Sequence, residues 1–142
     1  MAGLWVSIQA MIKTTTLVAL AGAALTIGTS LAPAASATTA GDPYRCVDGN
    51  VCVWQDPGYA GGLAQFGLVY LNYQNAIYDN GLGVNDTVTS IFNRTRDRIN
   101  FYRNSGANIR DLCFTVEPGA SVYNLAGSGC DDAISSHYSV NL

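Results

Sequence analysis

The chain repeats itself. VCVWQDPGYAGG and NDTVTSIFNRT, at 51–62 and 85–95, return as INFYRNSGANI at 99–109 and DDAISSHYSVN at 131–141. From Trp54 to Tyr102 the offset is 48, and from Asp86 to Asp132 it is 46, so a unit of just under fifty residues is used twice. Within each unit, short runs rich in β-branched and aromatic residues alternate with Gly, Asn, Asp and Pro. VCVWQ (51–55), LAQFGLVYL (63–71), TSIFNRT (89–95), INFYRN (99–104), DLCFTVE (111–117) and SSHYSVNL (135–142) read as strands. DPGYAGG, NSGAN and EPGAS read as turns, and no stretch downstream of residue 37 carries a helical period. Two similar antiparallel units, each with one face to bury, must pack as a two-sheet sandwich. The predicted architecture is therefore all-β, with a four-stranded motif at about 46–96 and a second at about 97–142.

The opening segment reads as a leader. Lys13 precedes an uncharged apolar stretch at 17–31, and Ala35 and Ala37 occupy the −3 and −1 positions of an A-x-A site. The apolar stretch is too short for a comfortable membrane span. MIKTTTLVALAG, from Met11, also suits the start of such a leader. Residues 1–37 are expected to be a signal peptide, leaving 38–142 as one secreted, extracellular domain of 105 residues.

That remainder holds six arginines against ten acidic residues, a formal charge of −4. Without a basic patch it is a poor binder of nucleic acid or of an anionic membrane surface. Nothing predicts self-association, and a monomer is expected. Its four cysteines imply two disulfides, with three possible pairings. Asp48-Gly49 in CVDGNVC is a tight-turn signal that favours Cys46–Cys52, which leaves Cys113–Cys130. A zinc site is disfavoured, because no pair of CxxC knuckles exists and His137 is the sole histidine.

The hexapeptides NDTVTS (85–90) and DDAISS (131–136) share two Asn/Asp positions, two spacers and two hydroxyls. If the strands that follow alternate strictly, Val88, Ser90, Phe92, Ile134, Ser136, Tyr138 and Val140 face the core. Ser90 and Ser136 then point inward, toward backbone turns. Thr89 and Ser135 point outward, just behind Asn85-Asp86 and Asp131-Asp132. An Asx turn is the plainer use of such residues. Their repetition instead points to a hard cation held by hydroxyl, carboxylate and carbonyl oxygens, for which calcium is the best match.

On these residues the chain resembles a βγ-crystallin domain. WQDPGYAG (Trp54, Tyr59, Gly61) fits the family's hairpin signature, and both hexapeptides fit its calcium signature [ND][ND]xx[ST]S. The resemblance implies a double Greek-key sandwich with one or two calcium sites. It also implies Thr89 and Ser135 as side-chain ligands, Ser90 and Ser136 as structural serines, and hairpin carbonyls at Gln55 and Arg103 drawn from the opposite motif. More narrowly, the CVDGNVCVWQDPGYAGGLAQF opening, NDTVTSIFNRT and EPGASVYNL…DDAISS resemble the secreted actinobacterial proteins grouped as peptidase inhibitor family I36. That likeness implies a protease as partner, with a metalloprotease inhibitor as the family's founding member. One departure stands out: Ala107 and Ile109 replace the aromatic and glycine of the second hairpin, which predicts a weaker second calcium site.

An enzyme is not expected. Ser135, Ser136 and His137 beside Asp131 and Asp132 superficially compose a triad, but Ser136 and His137 point to opposite faces and no third group orients the imidazole. His137 is expected to be solvated. Asp56 and Glu117 are expected in separate turns, and neither HExxH nor GxSxG occurs. An inhibitor must present a rigid, substrate-like strand. Leu112-Cys113-Phe114 is the candidate, stiffened by its disulfide and offering Phe114 to a thermolysin-like enzyme. The plainer reading makes Leu112, Phe114 and Val116 the core face of an ordinary strand. The arginines, mostly in polar turns, give no support for a trypsin-type target. The alternative to inhibition is a calcium-binding crystallin module with a structural, stress-related or toxin-like role.

Overall fold

The computed structural model describes residues 40–141, so the expected signal peptide lies outside the described residues. Among the described residues eight strands form: β1 Val51–Asp56, β2 Ala60–Phe66, β3 Val69–Tyr70, β4 Ser90–Asn93, β5 Ile99–Tyr102, β6 Leu112–Val116, β7 Ser121–Val122 and β8 Ser136–Ser139. They build two four-stranded antiparallel sheets, ordered β2-β1-β4-β7 and β3-β8-β5-β6. The third strand of each motif has crossed into the other motif's sheet. This exchange is the Greek key, and it locks the two repeats into one sandwich.

The expected strand at 63–71 is therefore two strands in different sheets. Gly67 interrupts the run, and the chain turns from β2 beside β1 to β3 beside β8. The turn expected at EPGAS is followed by β7, which sequence reading passed over because only two residues pair.

The core lies between the sheets and includes Val51 and Val53 of β1, Ile91 of β4, Ile99 and Phe101 of β5, Tyr73 of the short 3-10 helix Tyr73–Asn75, and Val88 and Ile134 from the loops. Burying one aliphatic side chain such as Ile91 contributes about 1.5–3 kcal/mol. A second cluster covers the outer face of the first sheet. Cys46, Cys52, Trp54 and Leu63 are buried there beneath Tyr59 and Phe92. β1 is thus buried on both faces.

That double burial overturns the expected faces. Phe92 packs in the outer cluster and is only half-buried, while Ile91 and Asn93 fill the intersheet side. In β8 the inward residues are His137 and Ser139, both fully buried, whereas Tyr138 is half-buried and Val140 exposed. The alternation read forward from Val88 and Ile134 fails because the chain enters each strand at Ser90 and Ser136 through an irregular turn.

Both disulfides form as Cys46–Cys52 and Cys113–Cys130, with Cα separations of 5.7 and 5.9 Å. Asn93 is the joint between the motifs. Fully buried, it donates its amide to the carbonyls of Asp97, Val116 and Glu117 and accepts from the backbone N–H and hydroxyl of Thr95. The sequence placed it in the strand 89–95 without marking its role as a buried joint.

Candidate functional site

Each repeat ends its first hairpin in a fold braced by a serine. Ser90 Oγ donates to the Asp56 carbonyl at 2.7 Å and accepts from the Tyr59 N–H at 3.0 Å. Ser136 Oγ donates to the Asn104 carbonyl at 2.6 Å and accepts from the Ala107 N–H at 3.3 Å. Tyr59 and Ala107 sit 48 apart and share a left-handed backbone, with φ of 61° and 52°. The second hairpin therefore keeps the serine brace and the left-handed residue of the first although Ala107 replaces its aromatic, but Ile109 lacks the positive φ of Gly61, and the hairpin spans Tyr102 to Leu112 where the first spans Trp54 to Leu63. What it loses is the lid: the Tyr59 ring meets Trp54 edge-on at 5.3 Å and Tyr123 at 5.7 Å, and Ala107 has no counterpart.

The hexapeptides meet across the motifs. Thr89 Oγ1 lies 3.5 Å from Asp132 Oδ1, and Ser135 Oγ donates to Asp86 Oδ1 at 3.0 Å. Asp86 and Asp132 hold left-handed φ values of 57° and 49°, which turn each carboxylate toward the other repeat. The expected grouping of Asp86 with Thr89 and Asp132 with Ser135 is thus exchanged. Thr89 N–H bonds the Trp54 carbonyl, beside Gln55, and Ser135 N–H bonds the Tyr102 carbonyl, beside Arg103. Each hydroxyl shares a motif with its hairpin because β1 pairs with β4 and β5 with β8; the carboxylate comes from the partner motif. Thr89 and Ser135 are only 7% exposed, so they are not open to solvent as alternation predicted.

Two oxygens bound to one calcium at 2.3–2.6 Å lie roughly 3 Å apart, so both hydroxyl–carboxylate pairs have a fitting separation. Asp131 carries a buried Oδ1 without a hydrogen-bond partner, and desolvation together with Asp131 raises the Asp132 carboxyl above its ordinary value. A cation would relieve both. Asn85 turns its amide onto the Asp86 carboxylate at 2.6 Å and lines a cleft of about 210 Å³ with Ser135, Asn104 and Asn72. Among the described residues no three His, Cys, Asp or Glu side chains gather as a metal cluster. Coordination here would rest on single carboxylates joined by hydroxyl, amide and carbonyl oxygens, a donor set for a hard ion.

His137 is not solvated. It is fully buried, its Nδ1 lies 2.6 Å from the Tyr73 hydroxyl and its Nε2 2.9 Å from the Gly67 carbonyl. A carbonyl can only accept, so Nε2 carries the proton and Nδ1 accepts from Tyr73. Burial pulls the pKa down to about 4, with the Gly67 carbonyl acting in the opposite sense. The imidazole pins the β2–β3 crossing and has no serine or carboxylate partner among the described residues, so Ser135, Ser136, Asp131 and Asp132 form no triad with it. Asp56 ends β1 and Glu117 pairs with Arg98 at 2.9 Å, well apart in role.

Leu112, Cys113 and Phe114 lie in β6, the terminal strand of its sheet, with β5 as its one neighbour. Phe114 is half-buried and stacks on Phe101 at 5.4 Å, Val116 is buried, and Leu112 is 37% exposed. The segment is a paired edge strand rather than a free loop, and Leu112 departs from the expected core face.

This architecture is that of a βγ-crystallin-type double Greek key. Solved structures agree. One, described under the evolution of the eye lens βγ-crystallin domain fold, matches with a TM-score of 0.56 at 18% identity, covering 66% of this chain and 87% of its own. A βγ-crystallin from Ciona intestinalis matches with a TM-score of 0.52 at 20% identity, covering 64% and 99%. No curated protein matches significantly. The sequence profile of peptidase inhibitor family I36 matches residues 39–110, and the chain belongs to that family. It is accordingly a family of inhibitors, not of enzymes, that the fold serves here.

Proposed function

We propose that the protein is a secreted inhibitor of extracellular proteases, built on a calcium-binding crystallin scaffold. The observation that carries the reading is family membership joined to a disulfide-tethered edge strand. The outer edge of β6 pairs with no other strand among the described residues, so it is open to adding a strand within a protease cleft. Cys113–Cys130 holds that strand to the loop before β8, which keeps the ordering cost of binding low. Two disulfides also suit an oxidising, extracellular setting.

Calcium belongs to the scaffold in this reading. Thr89 with Asp132 and Ser135 with Asp86 would hold it, helped by Asn85, Asp131 and the carbonyls of Gln55 and Arg103, while Ser90 and Ser136 hold the hairpins. The ion would supply charge neutralisation and a cross-link between the repeats. The half-buried Phe114, stacked on Phe101, favours the second reading, a calcium-binding module without a protease target.

The test is a stoichiometric titration against a thermolysin-like metalloprotease and a subtilisin at fixed calcium. Linear loss of activity of either enzyme to zero near one equivalent supports inhibition. Two unaffected enzymes and an intact chain leave the calcium module as the function.

A further inference from the structure

The two repeats differ most at the second hairpin. In the first, Gly61 holds a left-handed φ of 70° that side chains rarely adopt, and Tyr59 closes over Trp54. At the equivalent places in the second stand Ile109, 69% exposed, and the small Ala107. Of residues 103–112 all but Ala107 and Asp111 are exposed. The segment is nonetheless held at several points. Gly106 N–H bonds the Leu71 carbonyl at 2.8 Å, Arg103 N–H the Asp111 carbonyl at 2.9 Å, and Arg110 N–H the Asn108 side chain at 3.0 Å. Ser136 braces its start and Cys113–Cys130 its end.

The exposed aliphatics Ile109, Leu112 and Leu71 belong to this segment or to the strand end bonded to it. Arg110 adjoins Ile109 and, like Arg96 and Arg103, enters no ion pair among the described residues. An aliphatic knob on a preordered backbone, next to a free cation on an otherwise acidic domain, is suited to an apolar pocket with an acidic rim.

We propose that the second hairpin, 103–112, is the protease-contacting surface, with Ile109 as its anchor in an aliphatic-accepting pocket of the enzyme's active-site cleft and Arg110 facing an acidic rim. The proposal rests on the inhibitor reading above, and β6 continues directly from this surface.

The secreted protein is titrated against the thermolysin-like enzyme and the subtilisin, alongside Ile109→Asp, Arg110→Glu and the control Ile77→Asp, an equally exposed isoleucine (67%) on the 76–84 loop. Against the enzyme that wild type inhibits, Ile109→Asp raises the inhibition constant at least about 100-fold with an unchanged melting temperature. Arg110→Glu raises it roughly ten-fold at low salt and less at high salt. Ile77→Asp leaves it unchanged. Wild-type potency in Ile109→Asp, or equal losses in Ile109→Asp and Ile77→Asp, overturns the proposal while inhibition stands. A wild type that inhibits neither enzyme removes the inhibitor reading and this surface with it.

Discussion

Acidification should weaken the fold through His137. In the folded state Nδ1 accepts from Tyr73 and Nε2 donates to Gly67, so a second proton has no acceptor and would break the Tyr73 bond. Around the ring stand Phe66, Tyr70, Tyr73 and Phe101, none of which can stabilise a cation by charge at neutral pH or below. Burial lowers the pKa from 6.5 to about 4, so the unfolded chain binds the proton first as pH falls. Stability contributed by the neutral ring is full above 6.5 and drains away as pH drops toward 4. Integrated from pH 7 to pH 5, above most carboxylate titration, the loss is about 2 kcal/mol. For a domain of this size that is about 10 °C in melting temperature. The assay is guanidinium or thermal unfolding at pH 7, 6 and 5, with His137→Gln as comparison. The variant should be less stable at pH 7 by roughly 1–3 kcal/mol, from imperfectly satisfied Tyr73 and Gly67 groups, yet nearly flat across the range. A wild type whose stability does not change between pH 7 and 5, or a variant with the wild-type slope, would refute the buried neutral imidazole.

Three further outcomes follow from the same geometry. Ser136→Ala removes the bonds to Asn104 and Ala107 and should cost about 1–3 kcal/mol in denaturant unfolding, with faster amide exchange at Ala107. Replacing Cys113 and Cys130 by serine opens a loop with a sequence separation of 17 and should cost about 3 kcal/mol, measured as a fall in the guanidinium midpoint under non-reducing conditions. Calcium at a hundred times its dissociation constant should stabilise the wild type by about 2.7 kcal/mol, read by calorimetry as a higher melting temperature. Asp86→Asn with Asp132→Asn should abolish that response, and a response of wild-type size in the double variant would place the ion elsewhere.

Much of this fold was legible in the chain. The repeat at 48 and 46 residues named two equivalent motifs, and short turn-bounded β-branched runs named the strands. The tight turn at Asp48-Gly49 named the disulfide pairing, and the spacing of Ser90 and Ser136 named them as hairpin braces. Strand preference, turn chemistry and loop length act within a few residues of one another, and the serine braces, though they reach hairpins some thirty residues away, recur at the same place in each repeat.

Other features came only with the tertiary structure. Periodicity along one strand reports its two faces but not what covers each, so it could not show that the outer face of β1 is buried under Phe92 and Tyr59, or that His137 points inward. Nor could it show which carboxylate meets which hydroxyl. Asp132 reaches Thr89, and Asp86 reaches Ser135, because β3 and β7 exchange sheets and bring the two repeats face to face. The sequence by itself determined the pieces and their internal bracing; the strand exchange, a contact between segments more than forty residues apart, decided how they are shared between the two repeats.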